Sequence, residues 1–179
     1  MVFLHDSWNK VMNQAQTYFN LIKEKLFAPC NLNYSKLTLE KESAEYGASS
    51  FTLNDKKILF RVAKITPTKV GQFVTVWKRN SKGITEPFSD QSNIDFLMVC
   101  TKKEDLFGLF IFPKSTLLEK RIFSKNGTGG KRGFRLYPSW DVTTSKQAQK
   151  TQQWQLEHFV TLSDNKAIDL EQLKKLIQL

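Results

Sequence analysis

IDFLMVCTKKEDLFGLFIF, residues 94–112, is the stretch on which the fold of this chain depends. Two apolar segments stand on either side of the charged turn Lys102–Asp105. Short segments rich in Val, Ile, Leu and Phe, joined by a polar turn, predict two buried neighbouring strands. Neither segment approaches the roughly 18 residues of a membrane span, so we expect a soluble protein.

Further strand patterns flank this pair. Upstream, LTLEKES (37–43) alternates, SSFTLNDKKILFRV (49–62) is typical of a hairpin, and GQFVTVWKRNSKG (71–83) is a strong strand candidate. Downstream, RGFRLYP (132–138) predicts one more short strand. About five to seven short strands joined by short turns favour a curled antiparallel sheet or partial barrel.

Helical periodicity marks both ends of the chain. Residues 6–27 repeat apolar side chains at helical spacing, and a second helix is expected over about 145–159. A closing helix follows Asp169, where Gln172 completes a capping box. The sequence thus predicts one α+β domain over residues 1–179, with an N-terminal helix, a twisted mostly antiparallel sheet or pseudobarrel, and two C-terminal helices.

The net charge of +10 is confined to the middle of the chain. Residues 61–150 carry seventeen basic and seven acidic residues, or +10, whereas residues 1–60 sum to +1 and residues 151–179 to −1. A confined excess of positive charge indicates a docking surface for phosphate or acidic groups. The alternative, a solvated face without a partner, stays open.

The first basic segment covers residues 64–83, which hold five bases and no acid. If residues 71–79 form a strand, side-chain alternation places Trp77 and Arg79 on one face. Such a pair can stack on a base or hold a phosphate. A half-buried Trp beside a solvated Arg is the equally acceptable alternative.

The second basic segment, GTGGKRGFRLYPSW, covers residues 127–140. Its glycines permit close backbone approach and an anion-binding nest beside Lys131 and Arg132. If alternate residues of the strand fill the core, Arg135 and Tyr137 are displayed together on the other face. A plain flexible turn is the alternative.

The third segment, SKQAQKTQQWQ, covers residues 145–155 and has no apolar residue between Ala148 and Trp154. Lys can neutralise phosphate, and Gln can pair with adenine or with backbone groups. One helical face is expected to carry Lys146, Gln149, Lys150 and Gln153. An exposed polar helix anchored by Trp154 is the alternative.

Four sequence segments, in their order and spacing, resemble those of the MepB family. They are ITPTKVGQFVTVWKR (65–79), FGLFIFPK (107–114), GKRGFRLYPSW (130–140) and KQAQKTQQWQ (146–155), and the resemblance covers about residues 34–179. It implies a small cytosolic bacterial protein, sometimes encoded beside a multidrug efflux pump and its repressor. It also implies a fold of the nucleic-acid-binding type, without established catalysis.

The residues favour binding over catalysis. There are only two histidines, and neither belongs to a metal-binding motif. A metal-dependent nuclease needs an acid two residues before its lysine; Asp95 and Lys114 are suitably placed, but position 112 is Phe. Cys30 and Cys100 lack CxxC spacing and are expected to be free thiols of a reducing cytoplasm.

We therefore expect a cytoplasmic nucleic-acid-binding protein that uses a concave basic face containing aromatic residues, with no cofactor, metal or membrane partner. A divergent metal-dependent nuclease or nucleic-acid-modifying enzyme, and a small anionic-ligand-binding protein linked to drug resistance, are the alternatives. The candidate contacts are Lys69, Gln72, Trp77, Lys78, Arg79, Lys114, Lys131, Arg132, Arg135, Tyr137, Trp140, Lys146, Gln149, Lys150, Gln153 and Trp154.

Overall fold

The computed structural model describes residues 14–163 and 170–177. In these residues the helices are α1 (residues 14–22, continued by a π-helical turn at Lys23–Phe27), α2 (Lys114–Glu119), α3 (Lys146–Leu156) and α4 (Leu170–Ile177). The strands are β1 (Thr38–Leu39), β2 (Ser49–Leu53), β3 (Lys56–Val62), β4 (Lys64–Thr66), β5 (Lys69–Thr75), β6 (Trp77–Arg79), β7 (Thr85–Pro87), β8 (Phe96–Lys103), β9 (Leu106–Pro113), β10 (Ser124–Lys125), β11 (Thr128–Gly129), β12 (Gly133–Leu136) and β13 (Phe159–Thr161).

The predicted apolar hairpin lies at the centre of the main sheet. β8 and β9 pair antiparallel along their full length, and the strand order is β1-β2-β3-β8-β9-β13. Only β3 and β8 run parallel; the other neighbours in this sheet are antiparallel. The predicted α+β class and mostly antiparallel sheet are confirmed, and the described strands form an open sheet rather than a closed barrel.

Two apolar cores cover the two faces of this sheet. Phe96, Met98 and Cys100 of β8 point into the first core, where α1 and α4 pack. Leu97 and Val99 point into the second core, on the opposite face. Burial on both faces explains why residues 96–100 read as a continuous apolar run rather than an alternating one.

The second core separates the main sheet from a smaller layer. That layer contains the three-stranded sheet β12-β5-β4, the hairpin β6-β7, and the helices α2 and α3. Buried side chains of β5 and β12, including Val74, Phe134 and Leu136, close the core from this side. The basic segments of the sequence lie in this smaller layer, which therefore contains the candidate site.

Tertiary pairing overrides the sequence pattern at two places. The strand expected over residues 71–83 is interrupted at Val76, whose N–H donates to Arg132 O, and the chain then leaves β12 to pair with β7. The helix expected to reach residue 159 ends at Leu156, because Phe159 is buried and pairs with β9 as part of β13.

The predicted terminal helices are only partly within the described residues. The described part of α1 agrees with the helix expected over residues 6–27, but its start lies outside. The closing helix is present as α4, and Leu173 and Ile177 are buried on its inner face; the cap expected at Asp169 lies outside the described residues. Among the described residues, no helix is long and apolar enough to cross a membrane.

Candidate functional site

A groove of about 660 Å³ runs between α3, β12 and the start of β5. We call it the basic groove because four of its lining residues are cationic and none is acidic. Its lining residues are Lys69, Val70, Lys120, Ile122, Lys131, Gly133, Phe134, Arg135, Tyr137, Thr143, Thr144, Ser145, Gln147, Ala148, Thr151, Trp154 and Gln155.

β12 places Arg135 and Tyr137 in the basic groove by the predicted alternation. Phe134 and Leu136 are buried in the second core, so their neighbours face the other way. The Arg135 Nη1 lies 3.0 Å from Thr66 Oγ1 and 3.2–3.4 Å from the carbonyl oxygens of the first three residues of β5. Its Nε and Nη2 make no hydrogen bond to any described residue and can donate to an anion.

A buried glutamine of α3 holds this strand in position. Gln155 is fully buried; its Oε1 accepts from Tyr137 N and its Nε2 donates to Arg135 O, each at 2.9 Å. The side-chain amide thus replaces a missing neighbouring strand at the free edge of β12, and it satisfies both backbone groups. The positions of Arg135 and Tyr137 therefore depend on Gln155.

A glycine allows Tyr137 to lie close against β5. Gly71 has a φ of +85°, and a Cβ there would stand 2.6 Å from Leu136 O and 2.7 Å from the Tyr137 Cδ1 atom. No side chain larger than hydrogen fits this close approach, and the positive φ also favours glycine. Gly71 is therefore required for the shape of the groove wall.

Three lysines supply the remaining charge. Lys69 and Lys131 are exposed, and neither ammonium group contacts an acid among the described residues. Lys120 lies over the Trp154 ring at 5.6 Å from its centroid, and its Nζ donates to Glu119 Oε1 at 2.7 Å. Lys120 is not among the contacts predicted from the sequence, because the helix before it is too short to show a helical period.

Three predicted cations form a second group, which we call the paired cluster: Lys78, Arg79 and Arg132. Lys78 pairs with Glu86 at 3.3 Å and Arg79 with Glu42 at 3.1 Å. The Arg132 guanidinium donates to Thr85 O at 2.7 Å. The expected neighbourhood of Trp77 and Arg79 is present, with 5.3 Å from guanidinium carbon to ring centroid, but these charges already have partners.

Three other predicted contacts serve the interior of the protein. Gln72 is buried, and its Nε2 donates to Lys102 O. The Lys114 Nζ donates to Asp90 O and Ser92 O, both at 2.6 Å, and so holds the loop before β8. Trp140 packs edge-on against Phe159 with ring centroids 5.5 Å apart. None of these three residues lines the basic groove.

The predicted face of α3 is turned away from the basic groove. Gln147, Ala148, Thr151 and Trp154 line the groove, whereas the expected set Lys146, Gln149, Lys150 and Gln153 does not. Each residue advances the helix by about 100°, so the two sets occupy different sides. Of the expected α3 residues, only Trp154 lies in the groove, and the Gln149 amide donates to Thr143 O instead.

The residues considered for metal-dependent hydrolysis have other partners. Asp95 Oδ2 accepts from Lys57 N at 2.7 Å, and Asp95 O accepts from Lys114 N. Across residues 14–163 and 170–177, no group of three His, Cys, Asp or Glu side chains could hold a metal ion. Asp95 and Lys114 therefore stabilise the start of β8 and the end of β9.

The described residues define a mixed α+β domain with a basic, acid-free groove in its smaller layer. A family model described as MepB-like matches residues 40–161, which is more than half of the chain. The chain therefore belongs to the MepB-like family, as the sequence resemblance indicates.

Two solved structures are similar to this chain. A crystal structure of MepB has 38% sequence identity and a TM-score of 0.71, over 74% of this chain and 88% of that chain. The bacterial homing endonuclease I-Ssp6803I has 14% identity and a TM-score of 0.43, over 82% of this chain and 88% of that chain, which is too distant to support a conclusion. A search of curated proteins found no match.

Proposed function

We propose that the protein binds nucleic acid through the basic groove. One observation carries the proposal: four cationic side chains line the groove and no acidic side chain does. A phosphate backbone is a polyanion that Lys and Arg bind by releasing condensed counterions, so such a groove suits it. The paired cluster contributes less, because Glu86 and Glu42 balance the charges of Lys78 and Arg79.

The groove offers distinct contacts for phosphate and for bases. Arg135 presents Nε and Nη2 as a fork, and such a fork binds phosphate oxygens in a bidentate way. Lys69 and Lys131 act as point charges along the same path. Tyr137 stands beside them, and an aromatic ring beside a cationic groove is a common element of single-strand binding surfaces.

Salt dependence tests the proposal directly. If three or four phosphates are neutralised, the logarithm of the binding constant for a single strand falls against the logarithm of salt concentration with a slope of roughly −2 to −3. Fluorescence anisotropy with labelled single-stranded and duplex DNA and RNA would measure this slope. Affinity should fall roughly a hundredfold between about 50 and 300 mM salt. Equal affinity at both concentrations would contradict the electrostatic mechanism.

A small anionic compound is the second candidate ligand. The volume of the groove, about 660 Å³, lies within the range of small-molecule sites. Thermal denaturation with mononucleotides, phosphorylated sugars and oligonucleotides separates the two candidates. Stabilisation by a small compound, but not by oligonucleotides, would favour this second function and contradict the first.

A further inference from the structure

A second cavity, which we call the side notch, adjoins the basic groove. It has a volume of about 300 Å³ and lies between strands β4 and β5 and the loop that follows β12. Lys69 and Val70 line both cavities, so a chain bound in the groove passes directly beside the notch. The proposed nucleic-acid binding by the groove does not use the notch.

The floor of the side notch contains polar atoms without partners. The Asp141 side chain is only 8% exposed, and its Oδ2 has no hydrogen-bond partner among the described residues. Trp140 Nε1 and Gln72 Oε1, which belong to other lining residues, are also buried and unpartnered. Buried polar groups are normally satisfied, so three unpartnered atoms around one cavity call for a partner such as a water, an ion or a ligand.

Asp141 is the ionisable residue among these unpartnered groups. Its Oδ1 lies 3.7 Å from the Lys103 Nζ, which is too long for a hydrogen bond. Burial raises the pKa of Asp141, and the charge of Lys103 opposes that shift. A carboxylate held in this way favours a ligand that donates hydrogen bonds to both of its oxygens.

The walls of the side notch are apolar and exposed. Ile65, Val70 and Val142 are 58%, 49% and 79% exposed, and all three line the cavity. Together with the indole of Trp140 they form surfaces against which a flat ring can pack. Aliphatic walls around a carboxylate suit an aromatic heterocycle better than they suit a simple amine or a metal ion.

We propose that the side notch receives an unpaired guanine of a nucleic-acid strand bound in the basic groove. The Watson–Crick edge of guanine presents N1–H and N2–H side by side, which matches the two oxygens of the Asp141 carboxylate. Its O6 accepts from the Lys103 ammonium group. Asp141 must turn slightly on binding, because Oδ2 is covered in the unbound structure. The inference rests on the proposed function of the groove.

Other bases fit this arrangement less well. Adenine and cytosine present one amino group next to a ring acceptor, so one carboxylate oxygen would face a lone pair. Thymine and uracil present a single N–H between two carbonyl groups. Because base pairing occupies the same edge, the notch also requires the guanine to be unpaired, and this selects single strands, loops or strand ends.

The test uses thymidine oligonucleotides about nine nucleotides long, within the usual length of a single-strand site. One strand carries a central guanine, and the others carry inosine, adenine, cytosine or thymine there. We expect the guanine strand to bind roughly tenfold more tightly than the all-thymine strand, a difference typical of one bidentate base contact. Inosine, which lacks the N2 amino group, should lose most of this gain.

Asp141→Asn should abolish the preference for guanine, because a carboxamide offers one acceptor where two are needed. Asp105→Asn removes the same charge from the exposed β8–β9 turn and serves as the matched control, which should keep the preference. Thermal denaturation of both variants checks that they fold.

The possible outcomes distinguish failure of the guanine site in the notch from failure of nucleic-acid binding by the groove. Equal binding of all strands, or a guanine preference that survives Asp141→Asn, would show that the notch reads no base, while salt-dependent binding would still support the groove. Absence of binding to every strand would contradict the groove itself. Guanosine monophosphate that competes as well as the guanine strand would assign the notch to a free nucleotide and overturn the inference as stated.

Discussion

The basic groove and the paired cluster look alike in sequence but differ in the structure. Both combine Lys and Arg with aromatic residues on strands of the smaller layer. In the paired cluster, Arg79 finds Glu42, which lies 37 residues earlier in the chain, and Arg132 finds Thr85, 47 residues earlier. In the groove, Lys69 and Lys131 find no acid among the described residues. Whether a basic residue is free to bind an anion therefore depends on acidic residues far away in the sequence. A local count of basic residues does not include them.

The two regions also differ in the interactions that fix their cationic side chains in place. In the paired cluster the ion pairs are about 40% exposed on each side, as Arg79 and Glu42 show at 47% and 39%. In the groove, the buried amide of Gln155 fixes the backbone of Arg135 and Tyr137. Exposed ion pairs contribute little to stability, whereas a buried amide with two partners is costly to remove.

Gln155→Ala should have the largest effect of any substitution in the two regions. It removes a fully buried side chain and leaves a part-buried N–H and a part-buried C=O without partners, at a cost of about 2–4 kcal/mol of unfolding free energy. It should also weaken nucleic-acid binding, because the backbone of Arg135 then loses its hydrogen bond to the Gln155 amide and the position of Arg135 is no longer fixed. Urea denaturation and anisotropy measure the two effects.

Gln153→Ala is the matched control for Gln155→Ala. Gln153 is an exposed glutamine of the same helix, and it makes no hydrogen bond to another described residue. Its replacement should change the unfolding free energy by less than about 0.5 kcal/mol. Similar stability of the two variants would show that Gln155 does not anchor β12.

Neutralising the groove should cost more affinity than neutralising the paired cluster. Lys69→Gln with Lys131→Gln removes two unpaired charges, so we expect about tenfold weaker binding at low salt and a salt slope smaller by about 1.4 on single strands. The control, Lys78→Gln with Arg79→Gln, removes the same net charge but should weaken binding by less than about threefold, since its charges are already paired. Equal losses would remove the distinction between the two regions.

Much of the fold follows from periodicity, and the exceptions have tertiary causes. The apolar run before Lys102 and the one after Asp105 predict the β8–β9 hairpin because both faces of that sheet are buried. No local pattern separates β13 from the helix before it, since Phe159 becomes a strand residue only by pairing with β9. The short helix α2 was missed for a similar reason: it has one fully buried residue, Leu117, and too few turns to show a period.

The candidate site was predictable where the apolar pattern defines a face. Phe134 and Leu136 are apolar and buried, so the exposure of Arg135 and Tyr137 follows from alternation. On α3 the same reasoning selects a face that does not line the groove, because the buried residue is Gln155 and an apolar count treats glutamine as surface. A polar residue that replaces a strand edge gives no signal in hydrophobic periodicity.

The smallest effect is expected from releasing the charges of the paired cluster. Glu42→Gln with Glu86→Gln leaves Lys78 and Arg79 without their acids, and unfolding free energy should fall by no more than about 1 kcal/mol. Affinity should rise only about two- to threefold at low salt, and the gain should vanish at about 300 mM because exposed charges are screened. Glu104→Gln with Asp105→Asn, which changes the same net charge in the exposed β8–β9 turn, measures the effect of overall charge. A gain of tenfold or more would show that acid pairing alone distinguishes the two regions; a small gain would show that the shape of the groove contributes as well.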